Sequence, residues 1–112
     1  MAFTSDLEMQ DGTATITLVG ELDAAVAPLF REKVEAAAAE QPKRLVLVMR
    51  DLEYMSSAGL RALSFAKQKM GADVEIDVVD AQESVLETLE MTGFSNSVNV
   101  VTTDDAAETA NQ

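Results

Sequence analysis

The chain contains neither histidine nor cysteine. That double absence removes Ser-His-Asp and Cys-His nucleophilic arrangements, thiolate chemistry and zinc sites built on His or Cys, and most familiar hydrolase mechanisms go with them. Basic residues are also scarce: 8 Lys and Arg stand against 20 Asp and Glu, for a formal charge of −12. A phosphate backbone or an anionic membrane surface repels such a chain at long range, so nucleic acid is not expected as a partner. Solubility accounts for the acid excess, as does a partner with a basic docking face. No apolar run approaches the roughly 20 residues that span a bilayer, so membrane insertion is not expected. Residues 1–6 lack the basic and apolar regions of a signal peptide, which places the expected location in the cytoplasm. Neither a GxxxxGK loop nor a GxGxxG turn is present, so no nucleotide site has a motif behind it and no cofactor is expected.

What remains is 112 residues with 47% hydrophobic content, enough for one compact core. Thr13-Ala14-Thr15-Ile16-Thr17-Leu18 alternates with period two, and Asp11-Gly12 before it is a hairpin signal, so residues 4–10 and 13–19 are expected to pair antiparallel. Val26, Leu29, Phe30, Val34, Ala37 and Ala38 recur at helical spacing, with Pro28 tolerable in the first turn, which predicts a helix over 26–40. Leu45-Val46-Leu47-Val48-Met49 is apolar on both faces and suits a central strand with helices on each side. Leu60, Leu63, Ala66 and Met70 mark a second helix ending at Gly71, and Val74, Ile76 and Val78 alternate as another strand. Asp80 with Glu83 resembles a capping box for a third helix on the stripe Val85, Leu86 and Leu89, closed by Gly93-Phe94. Residues 98–101 add a last strand, and 104–112 form an acidic, Ala-rich tail or weak terminal helix.

The result is an α/β domain over residues 1–103: a mixed sheet of about five strands with three or more helices, in the order β-β-α-β-α-β-α-β. Loops 20–25, 50–57 and 79–82 leave the carboxyl ends of parallel strands, the rim where open α/β sheets bind ligands, so Glu21, Asp23, Asp51, Ser56 and Ser57 are expected to gather there. Ser57 falls near the N-cap of the second helix. A cap satisfies an orphan N–H and is worth about 1 kcal/mol, and the same position suits phosphorylation, because free amides and the helix dipole tolerate a phosphate's roughly −1.5 to −2 charges. Such a charge beside Glu21, Asp23, Asp51 and Glu53 opposes any interface built across the rim. Gly59, in the first helical turn, implies close backbone packing or access to Ser57. Met9, Met49, Met70 and Met91 read as core filler, whereas Met55, beside the serines, reads as an exposed anchor for a partner. Glu21 and Asp23 make a poor acid/base pair, and with Asp51 a poor magnesium site, since no lysine, histidine or second ligand cluster accompanies them.

Three strings together carry a resemblance: Gly20-Glu21-Leu22-Asp23; Leu45-Val46-Leu47-Val48 leading through Asp51-Leu52-Glu53-Tyr54-Met55-Ser56-Ser57-Ala58-Gly59-Leu60; and Leu86-Glu87-Thr88-Leu89-Glu90-Met91-Thr92-Gly93-Phe94. In this order and spacing, from about residue 4 to 103, they resemble the STAS domain of bacterial anti-sigma factor antagonists. The resemblance implies a sheet flanked by helices and a binding protein in place of an enzyme. It implies partner switching: the unphosphorylated domain binds a GHKL-type serine-kinase anti-sigma factor, phosphorylation releases it, and a PP2C-type phosphatase resets the domain. By register with the family's Asp-Ser-Ser-Gly-Leu pattern the acceptor falls on Ser57 and Asp23 falls on a loop carboxylate implicated in the kinase contact; Glu21, Met55, Ser56 and Gly59 are expected with Asp23 on the partner-binding face. Ser56 stands where the family often has aspartate, and Ala58 replaces its second serine, so Ser56 is the alternative acceptor. The family also includes scaffolds of sensory complexes and subunits of lipid transporters, in which the serine need not be phosphorylated.

Overall fold

Asp11 and Gly12 take φ of 53° and 83°, a pair of left-handed residues whose twist matches that of flanking antiparallel strands. They join β1 (Thr4–Gln10) to β2 (Thr13–Leu22) in the hairpin that the Asp-Gly signal predicts. The structure, a computed structural model, describes residues 3–102. After the hairpin come α1 (Ala27–Ala39), β3 (Arg44–Met55), α2 (Ser57–Met70), β4 (Glu75–Val79), α3 (Glu83–Met91), a short 3-10 turn (Phe94–Ser97) and β5 (Asn99–Val101). The five strands lie in the order β1-β2-β3-β4-β5, with every neighbouring pair after β1–β2 parallel. This is the expected mixed α/β sheet; residues 104–112, expected as a tail or weak helix, lie outside the described residues.

Period-two patterning places Ala14, Ile16, Leu18 and Leu22 of β2 on one face, in register with Leu45 and Leu47 of β3 and, through them, with Ile76 and Val78 of β4. Onto this face α1 buries Phe30, Val34 and Ala37, α2 buries Ala62, Leu63 and Ala66, and α3 buries Val85 and Leu89, all in one core cluster. The expectation of helices on both faces of β3 is therefore corrected. Val46 and Val48 are half-buried and pair with Thr15 and Thr17, and no described helix buries a residue against that face. Valine and threonine suit a half-buried pleated surface without a cover. Of the methionines read as filler, Met49 is fully buried, but Met9 and Met91 are exposed.

Strand β3 is longer than its alternation predicts. Two register shifts against β2, between Thr17 and Val19 and between Gly20 and Glu21, each place an additional β3 residue in the ladder. The buried positions step from period two (Leu45, Leu47, Met49) to period three (Leu52, Met55), so each bulge returns the next apolar side chain to the core. Asp51 and Glu53, expected in a loop, lie instead on this bulged strand, both exposed. Polar groups at the start of α3 tie it to the bulges: Gln82 Nε2 donates to the Arg50 carbonyl at 2.8 Å and Ser84 Oγ to the Glu53 carbonyl at 3.4 Å. The capping box does not form. Glu83 is the first residue of α3, so the N-cap is Gln82, and Asp80, at φ 58°, accepts instead from Arg50 Nε and Nη2 at 3.2 and 2.7 Å. Gly93, at φ 79°, follows the C-cap Thr92 as predicted, with Phe94 packed on the core.

Candidate functional site

Leu22 and Met55 are register partners at the carboxyl ends of β2 and β3. Just beyond them the chain turns into α2, and the Leu22 carbonyl anchors that turn by accepting the Ser56 amide at 2.9 Å. Ser56 has extended backbone angles and is the N-cap. Its Oγ accepts from the Gly59 amide at 3.3 Å and donates to the Leu22 carbonyl at 3.3 Å. The cap role expected near Ser57 thus belongs to its neighbour. Ser57 is the first helical residue; it is exposed, and its hydroxyl has no hydrogen bond among the described residues.

Gly59 is a packing residue. It is buried, and a Cβ there would meet the Leu22 carbonyl oxygen at 2.7 Å and Met55 Cγ at 2.9 Å. Met55 is corrected as well: at 4% exposure it is core, because the second bulge turns it inward. The exposed apolar surface near the serines belongs to Tyr54, 51% exposed, and Leu29 in the first turn of α1 is 48% exposed. Sequence reading passed over Tyr54, and the signal that finds it is the three-residue spacing of Met49, Leu52 and Met55, which points the residue before Met55 outward.

Asp23 is half-buried and directs the approach to α1. Its Oδ1 accepts from the Ala25 and Val26 amides at 3.0 and 3.3 Å, and its carbonyl accepts from Ala27 at 2.9 Å. These bonds replace a side-chain cap, which the N-cap Val26 cannot provide. Glu21 is exposed on β2 opposite Tyr54, while Asp51 pairs lower on the ladder with Val19. Three of the residues expected at the rim, Asp23, Ser56 and Ser57, are therefore brought to the loops at the ends of β2 and β3. Among the described residues, no group of three or more carboxylates is placed to hold a metal ion. Two cavities of about 280 and 360 Å³ open around Met70 and Gly71 at the far end of α2, and neither borders the serines.

An exposed primary alcohol on the first residue of a 14-residue helix is accessible to a phosphoryl donor, and the amides and dipole of the helix N-terminus accommodate the product. The family model of the STAS domain matches residues 4–108. RsfB, the anti-sigma-F factor antagonist of Mycobacterium tuberculosis, is 25% identical over 93 residues, covering 83% of this chain and 76% of its own. The crystal structure of an anti-sigma factor antagonist from Mycobacterium paratuberculosis matches with a TM-score of 0.84 at 26% identity, over 99% of this chain and 96% of that one. The Bacillus cell fate determinant SpoIIAA, solved in its phosphorylated form, shares the fold with a TM-score of 0.70 at 19% identity, over 96% and 99% of the two chains. The chain belongs to the STAS domain family, among relatives named as anti-sigma factor antagonists.

Proposed function

We propose that the protein is an anti-sigma factor antagonist that works by partner switching, with Ser57 as the phosphoryl acceptor. The observation that carries this reading is the division of labour between the two serines. The Ser56 hydroxyl is engaged at once by the Gly59 amide and the Leu22 carbonyl, while the Ser57 hydroxyl faces solvent. A phosphate on Ser56 removes the proton that its hydroxyl donates to the Leu22 carbonyl; a phosphate on Ser57 leaves both cap bonds in place. The proposed partner is a GHKL-type serine-kinase anti-sigma factor, with a PP2C-type phosphatase as the resetting enzyme, and the protein acts in the cytoplasm as a substrate and binding partner, without catalysis of its own.

In the modification step Ser57 Oγ attacks the γ-phosphorus of ATP held by the kinase. The new O–P bond forms as the bond to ADP breaks, and the hydroxyl proton passes to a base on the kinase. The docking face consists of Ser57, Glu21 and Tyr54, with Asp23 and Ser56 holding the two loops that present it. Adding a dianion to a rim that already carries Glu21 and Asp23 makes desolvation on docking costly, so the modified form lets go. Incubation with the kinase and ATP, followed by mass spectrometry, tests the acceptor. Wild type is expected to carry one phosphate on Ser57 and Ser57→Ala none; modification of Ser57→Ala at Ser56 to the wild-type extent contradicts the assignment. Recovery from lysate of a transporter in place of a GHKL kinase replaces this reading with that of a scaffold or transporter-associated module.

A further inference from the structure

Arg61 follows Ser57 by four positions on α2, which sets the two side chains on one face of the helix, one turn apart. Both are exposed. The other arginines are occupied: Arg44 pairs with Asp77, Arg50 with Asp80, and the Arg31 guanidinium lies 5.4 Å from the centre of the Phe65 ring. Arg61 has no hydrogen bond, ion pair or ring contact among the described residues. Its own helix offers it nothing to pair with, because the first turn of α2 contains no acidic residue and the positions three and four away are Ala58, Ser64, Ser57 and Phe65.

Resting on the reading of Ser57 as acceptor, we propose that Arg61 is the intramolecular partner of the phosphate. Phosphorylation supplies the acid that the helix face lacks, on the N-terminal side of the cation, which is the favourable order for an i,i+4 pair. The guanidinium offers paired N–H donors to two phosphate oxygens. Arg61 is a positioning residue. It holds the phosphate along the helix and is itself withdrawn from the docking face, so a single modification changes two charges there.

The pairing is testable without the kinase, by installing phosphoserine at position 57 through amber suppression and following its second ionisation by phosphorus NMR. An adjacent guanidinium favours the dianion, so the titration midpoint in the wild-type background is expected about 0.3 pH unit below that in Arg61→Gln, with Arg61→Lys restoring most of the difference. The carboxylates of Glu21 and Asp23 are common to all three proteins and cancel in the comparison. Equal midpoints in the three overturn the proposal. Because the phosphoserine is placed genetically, that result is independent of which serine a kinase selects, and the mass-spectrometric mapping reports on the acceptor separately.

Discussion

A Cβ on Gly59 would lie 2.7 Å from the Leu22 carbonyl oxygen, the same oxygen that accepts the Ser56 amide. One backbone atom at the end of β2 thus fixes both the start of α2 and the identity of its third residue. The oxygen cannot rotate aside as a side chain would. Gly59→Ala is expected to destabilise the fold by about 1–3 kcal/mol through this overlap, even though alanine is the better helix former by about 1 kcal/mol. Urea unfolding decides it, since an unchanged or raised midpoint shows that β2 yields to the methyl group.

The serines separate in the same assay. Ser56→Ala removes the acceptor of the Gly59 amide and is expected to cost about 1 kcal/mol, whereas Ser57→Ala, at an exposed first helical position, is expected to stay within about 0.5 kcal/mol of wild type. The reverse order moves the cap to Ser57 and removes the physical basis for assigning the phosphate there.

Tyr54 and Met55 point to opposite sides of the same strand. Truncating the buried Met55 to alanine is expected to cost about 2–5 kcal/mol of stability. Tyr54→Ala is expected to leave the unfolding midpoint within about 0.5 kcal/mol while weakening kinase binding by about fivefold or more, as loss of an interfacial aromatic anchor does. Calorimetric titration of the folded Tyr54→Ala protein measures this; undiminished affinity takes Tyr54 off the docking face.

Most of the architecture was legible in the residue pattern, because hairpin chemistry at Asp11-Gly12, the helical stripes and the glycine stops are local signals. What was hidden is the consequence of two bulges. A period-two reading ends β3 at Met49, since the next positions in phase are the acidic Asp51 and Glu53 and Leu52 falls out of phase, and it then leaves Met55 in a loop with its side chain outward. The three-residue spacing of Met49, Leu52 and Met55 is the trace these residues leave in the segment itself, and the register of the partner strand is what reveals them. One-residue precision at the start of α2 was out of reach for a related reason: either serine has the chemistry of a cap, and the Leu22 carbonyl on a strand distant in sequence selects Ser56. The apolar run 45–49 implied two covered faces, yet hydrophobicity does not distinguish a buried leucine from a half-buried valine on an uncovered sheet.

The central claim is that phosphate on Ser57 dissolves the partnership. Its most direct measure is the affinity of the kinase for the chain carrying phosphoserine at position 57, compared with the unmodified chain by calorimetry at a single ionic strength. The account predicts a loss of about tenfold or more, with circular dichroism unchanged, because a dianion must be desolvated at an acidic rim. Equal affinity of the two forms contradicts it.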